Sequence, residues 1–162
     1  MNEIDQKFMQ VALREANFAA QIGEVPIGAC IVKDGKVIAT AHNLREHTEM
    51  ATQHAEVIAI EAANAELGSW RLNDCTLYVT IEPCLMCAGA ILNSRIERVV
   101  YGAMNKKGGV VGSLYDVLTD DRQNHQVEVV SGIEAQKAAL IMKKFFKSKR
   151  KRHKKMMKSL DN

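Results

Sequence analysis

Thr76-Leu77-Tyr78-Val79-Thr80-Ile81-Glu82-Pro83-Cys84-Leu85-Met86-Cys87 is a run of β-forming residues that breaks at a proline and ends in a cysteine pair. The cysteines are three positions apart, so both can face one point from the first turn of a helix. Pro83 suits such a start, because the N–H it lacks would have no helical partner there. The strand therefore reads as residues 76–80 and the helix as about 84–94. A second helix start lies upstream at His54-Ala55-Glu56, where Val57, Ile58, Ala62 and Ala65 follow at helical spacing and Gly68 ends the run. One imidazole and two thiols from two helix starts form a ligand set that suits zinc, and helix N-termini favour the thiolate that binds metal. Three protein ligands leave a fourth tetrahedral position open, as in a catalytic site. Glu56, two residues after His54, reads as a proton carrier beside that position and not as a fourth ligand. The plainer alternative is a buried histidine with two unrelated core cysteines, and for Glu56 an exposed carboxylate favoured by the helix dipole.

The chain around this centre follows from its punctuation. Residues 3–22 read as an amphipathic helix with Ile4, Phe8, Val11, Ala12, Phe18, Ala19 and Ile22 inward and Gly23 as its stop. Asp34-Gly35 between two apolar runs, 27–32 and 37–41, signals an antiparallel hairpin. The polar stretch 42–53 reads as a loop. After the cysteine helix, which is apolar nearly all round and so expected to be buried, come a strand at 98–101 and a glycine-containing loop at 106–113. A short helix near 114–118, a strand at 127–131 and a long helix from 133 to about 155 complete the chain. Strand–helix–strand connections make the strands from Thr76 and Arg98 parallel. The expected fold class is α/β, a mixed sheet covered on both faces.

Composition sets limits. With 162 residues, 47% hydrophobic and 25% charged, the chain reads as one domain, 1–162. The longest apolar stretch, 84–92, is too short to span a bilayer, so no membrane association is expected. No basic segment followed by an apolar core opens the sequence, Cys30 reads as a small core residue and Cys75 as the start of a strand with no metal partner, so a reducing cytoplasm is the expected location. The net charge of +3 hides an asymmetry: ten of the 22 Lys and Arg fall between Lys143 and Lys158, with no acid among them. The rest of the chain is acidic. The cationic end, a helix or tail over about 143–162, is read either as a solvated surface or as a phosphate-binding segment through Lys149, Arg150, Lys151 and Arg152.

The His-x-Glu and Pro-Cys-x-x-Cys signature is that of zinc nucleobase deaminases. Thr76 to Ala90 resembles the core of the cytidine deaminase-like superfamily, and it looks closest to bacterial tRNA-specific adenosine deaminases. The resemblance extends to Glu24-Val-Pro-Ile-Gly-Ala29, Asn43, Ser94-Arg-Ile96, Tyr101-Gly-Ala103, Gly112-Ser-Leu114, Asn124-His125 and the Phe145-Phe146 pair before the basic end. It implies a three-layer α/β/α sandwich around a five-stranded mixed sheet. It implies hydrolysis of adenosine to inosine at the wobble position of a tRNA anticodon, in bacteria usually of an arginine tRNA. His54, Cys84 and Cys87 match the zinc ligands, Glu56 the proton shuttle, and Asn43 and Ala55 substrate-binding positions. The family acts as a homodimer with the tRNA anticodon arm bound across both subunits. One departure is Met104-Asn105-Lys106, where relatives often carry an acidic residue. The rival expectations are a deaminase of free cytidine, deoxycytidylate or guanine, and a zinc-stabilised RNA-binding module without catalysis.

Overall fold

The computed structural model describes residues 2–162. Helix α1 (Glu3–Gln21) is capped by the Asn2 side chain, which accepts from the Ile4 N–H. It ends in a paired turn: Glu24 N–H reaches Ala19 O at 2.9 Å and Gly23 N–H reaches Ala20 O at 3.1 Å. Gly23 supplies the left-handed residue (φ 80°) that this ending requires. Strands β1 (Gly28–Lys33) and β2 (Lys36–His42) form the expected hairpin, with Asp34 and Gly35 both at positive φ as a two-residue turn demands.

A short helix α2 (Arg45–Thr48) lies in the stretch expected to be loop. Next come α3 (Ala55–Leu67), closed by left-handed Gly68, then β3 (Cys75–Ile81), α4 (Leu85–Ser94) and β4 (Arg98–Ala103). The segment expected to be helical near 114–118 instead makes a bridge, Val111 to Asp116, and a 3-10 turn over Val117–Thr119. β5 (Glu128–Val130) and the 26-residue α5 (Ala135–Leu160) complete the fold.

The five strands form one mixed sheet in the order β2-β1-β3-β4-β5. β1 is antiparallel to β2 and β3, while β3–β4 and β4–β5 are parallel. Alternation sorts side chains to two buried clusters, as the period of two requires. Ala29, Ile31, Leu77, Val79 and Val99 pack with Ala55, Ala59, Ala88 and Ile91 of α3 and α4. Cys30, Val32, Tyr78 and Val100 pack with Phe8, Met9, Ala12 and Leu13 of α1 and Ala138 of α5. The fold is the three-layer α/β/α sandwich. Gly28 lets α1 approach β1, since a Cβ there would lie 2.0 Å from Ala12 O.

Three expectations need correcting. The buried face of α1 is Asp5, Phe8, Met9, Ala12, Leu13, Ala16 and Ala19, while Ile4, Phe18 and Ile22 are exposed. The helix is turned so that Asp5 can reach Arg98 and Tyr78 on the sheet. Helix α4 is not buried all round, since Leu85 is 63% exposed. Pro83 precedes the helix rather than opening it, because Cys84 holds the N-cap. Beyond Phe145, every residue of α5 is exposed, so the cationic shaft extends roughly 20 Å past its last buried contact. No helix among the described residues is long and apolar enough to cross a membrane.

Candidate metal centre

His54 and Cys84 occupy the N-cap positions of α3 and α4, with extended backbones (φ −82°, ψ 153° and φ −79°, ψ 177°). N-caps usually bond their own helix through a side-chain oxygen. Neither side chain here makes a capping bond. They face each other instead. Cys87, one turn into α4, completes the group, with Cys84 Sγ and Cys87 Sγ each 3.6 Å from His54 Nδ1. Ligands on one tetrahedral ion, with bonds of about 2.3 Å to sulfur and 2.0 Å to nitrogen, stand roughly 3.6 Å apart. The three atoms lie within 4.8 Å of one another, so this trio, brought together as the spacing predicts, could hold a metal ion.

The three groups perturb one another's protons. Hydrogen bonding from the Cys87 thiol, aided by His54, pulls Cys84 down to about 4. The same bond to Cys84 and burial push Cys87 up, and the bond to Cys84 raises His54. Glu56 is 4% exposed, and burial holds its carboxyl above the usual range.

Glu56, His54 and Ala55 share a cavity of about 100 Å³ with Val25, Ile27, Asn43 and Arg45. Both positions implied by resemblance as substrate-binding, Asn43 and Ala55, thus lie on its wall. Lys149, Arg150, Lys151 and Arg152 are exposed on α5 and are not among the residues lining this cavity.

Two carboxylates that the sequence reading left without a role hold the surrounding loops. Glu82, at the end of β3, accepts from the N–H groups of Asn105, Val111 and Ser113 and from the Ser113 hydroxyl. Burial alone would raise its pKa, but these donors outweigh that and hold it low. They pin the 105–113 loop beside Cys84, which itself bridges to Gly109. Asn105, the departure from the family pattern, sits in this loop, and its Oδ1 accepts from Gly108 N–H at 3.2 Å. Glu24 plays the corresponding part on the cavity side, where it meets Asn43, Glu46 and His47. Arg45 was also missed. The available signal was an acid beside a proline turn in both Glu24-Val-Pro and Ile-Glu82-Pro.

The chain is 54% identical over 147 residues to a tRNA-specific adenosine deaminase of Streptococcus pyogenes serotype M1, covering 91% of this chain and 86% of that protein. It is 48% identical over 156 residues to a tRNA-specific adenosine deaminase of Bacillus subtilis (strain 168), covering 96% and 97%. This chain belongs to the tRNA-specific adenosine deaminase family. A family model described as MafB19-like deaminase matches residues 3–150 of this family member. Among solved structures, one from a study of A-to-I editing by tRNA:A34 deaminases at the wobble position superposes with a TM-score of 0.80 at 44% identity. It covers 83% of this chain and 98% of that one. The family match stops at residue 150, short of the full α5 shaft carried by this deaminase.

Proposed function

We propose that this chain converts adenosine to inosine at the wobble position of a tRNA anticodon, arginine tRNA being the expected substrate, and releases ammonia. The observation that carries the reading is a buried carboxylate, Glu56, that lines one cavity with His54 of a metal-competent His/Cys/Cys group, in a member of this deaminase family. In this reading His54, Cys84 and Cys87 hold one zinc ion per subunit. Zinc, when bound, supplies Lewis acidity that brings the pKa of water to about 7.

The remaining chemistry belongs to the chain. Glu56 removes a proton from water and delivers it to a ring nitrogen of the base. The water oxygen bonds to the amine-bearing carbon, and Glu56 then takes the remaining proton from that new hydroxyl and passes it to the amino group, so that the C–N bond breaks, ammonia leaves and the oxygen stays as the carbonyl of inosine. The raised proton affinity of Glu56 suits a group that must both take and give. Asn43 and Ala55 orient the nucleoside. Glu56 is buried in the cavity wall, so the target base must leave its stack to reach it, which a single-stranded anticodon loop permits at low cost.

Lys149, Arg150, Lys151 and Arg152 contact tRNA phosphates in this reading. The protein acts in the cytoplasm as a homodimer. The deciding assay incubates pure protein with anticodon stem-loops bearing A or C at the wobble position. Inosine and ammonia from the A-bearing loop are expected. Uridine from the C-bearing loop, or turnover confined to free guanine or cytidine, overturns the proposal.

A further inference from the structure

Glu24 is fully buried, follows the turn that ends α1, and precedes the strand whose neighbours Val25 and Ile27 line the cavity. Its four bonds all run to the segment 43–47. Oε1 accepts from Asn43 Nδ2 at 3.4 Å and Glu46 N–H at 3.2 Å. Oε2 accepts from His47 N–H at 2.8 Å and lies 2.6 Å from His47 Nδ1, which must carry the proton because an ionised carboxylate can only accept. Burial alone would raise the Glu24 pKa, but the His47 ring and the two N–H groups outweigh it and keep the group ionised.

The same restriction bears on Asn43. Its amide has two ends, a donor and an acceptor, and only the donor can face a carboxylate. Asn43 is 5% exposed and lines the cavity with Glu56. No protein donor to its Oδ1 is found among the described residues, and since none of their buried side-chain oxygens lacks a partner, Oδ1 is open to solvent. We propose that Glu24 is a positioning residue for the base cavity: it fixes the Asn43 amide with Nδ2 turned toward the protein, so that Oδ1 accepts from an N–H or O–H of the bound nucleoside. The inference rests on the deaminase reading above and deepens it. Selectivity then comes from an acceptor that the bound base covers and that a ligand lacking the matching donor leaves unpaired.

Swapping the two polar groups tests this. Activity on the A-bearing stem-loop is compared for the native protein, Glu24→Gln, Asn43→Asp and the double variant. Glu24→Gln alone releases the amide and is expected to lose about 10-fold in kcat/KM. Asn43→Asp sets two carboxylates together and is expected to lose on the order of 100-fold. In the double variant the new amide at position 24 donates to the new carboxylate at position 43, whose other oxygen still faces the cavity. It should regain roughly 10-fold over Asn43→Asp. A double variant no better than Asn43→Asp overturns the proposal.

A second measurement needs neither substrate nor the double variant. The side-chain NH₂ of Asn43, followed by 15N NMR, should exchange slowly with solvent in the native protein and faster in Glu24→Gln. Equal exchange rates overturn the positioning role. Native protein that makes no inosine overturns the activity reading instead, and the amide exchange still decides the role of Glu24.

Discussion

Arg98 closes a two-pronged bond on Asp5. Nη1 donates to Oδ1 and Nη2 to Oδ2, each at 2.7 Å, joining β4 to α1 across 93 positions of the chain. Tyr78 adds its hydroxyl to Oδ1 at 2.8 Å. The Arg98 bond is the main reason that the Asp5 carboxyl lies below its usual range, against the opposing effect of burial. A depressed carboxylate stabilises the fold fully above the unfolded value of about 3.9 and loses that contribution as pH falls through the lower folded value. Asp5→Asn should therefore cost about 2 to 3 kcal/mol at pH 6. The gap to the native protein should close as the pH is lowered past the folded value. Denaturant titrations between pH 2 and 6 read both.

Glu56→Gln keeps the shape of the side chain and removes its ability to carry a proton. Turnover of the A-bearing stem-loop should fall by roughly 10² to 10⁴-fold. Metal content by mass spectrometry should stay at that of the native protein. Loss of metal along with activity would mean that Glu56 is a ligand.

Cys84→Ala and Cys87→Ala should each abolish stoichiometric metal, and chelation of the native protein should lower its melting temperature. Cys30→Ala should leave metal content unchanged, because Cys30 is buried against α1 with its thiol bonded to Phe8 O at 3.5 Å. Retained metal in either of the first two variants would refute the trio.

Gly109→Ala would place a Cβ 2.3 Å from the Glu82 carboxyl carbon and 2.7 Å from Asn105 O. Glu82 is held by its donors and cannot yield cheaply, so a loss of roughly 2 to 3 kcal/mol is expected. Gly89 in α4 has nothing within 4 Å of such a Cβ. Gly89→Ala should instead gain about 0.5 to 1 kcal/mol from helix propensity. Thermal melts of the two variants moving in the same direction would contradict this packing.

Removing residues 149–162 takes away no buried side chain, so stability should change by less than about 0.5 kcal/mol. Stem-loop affinity should fall and its salt dependence flatten. If the native shaft meets about six phosphates, affinity should drop near 10³-fold between 50 and 200 mM salt. Unchanged affinity and salt slope after truncation would remove the shaft from the binding surface.

Much of this architecture is legible from local signals. The Asp34-Gly35 turn, Gly68 at the end of α3 and the spacing of Cys84 and Cys87 each act within a few residues, and each lands where the pattern places it. What escapes is decided at a distance. The rotation of α1 is chosen by a salt bridge to a strand 93 residues away. Glu24 draws its donors from 19 to 23 positions downstream and Glu82 from 23 to 31. No window of sequence shows that such acids will be buried and satisfied. The three-residue β5 falls inside the strand expected at 127–131, but its place beside β4 is set at a distance, by parallel pairing with Arg98, Val99 and Val100.

The exposed shaft of α5 has an energetic consequence. Lys147 and Lys151, Arg150 and Lys154, Lys151 and Lys155, and Lys154 and Lys158 each stack like charges one turn apart. Each such pair opposes the coil-to-helix transition by about 0.2 to 0.5 kcal/mol, and the exposed side chains beyond Phe145 add little burial to offset it. Helicity in this segment is therefore bound to counterions: it frays at low ionic strength, and a polyanion lying along it would supply the order that the segment cannot generate alone. Circular dichroism at 222 nm should grow on adding one.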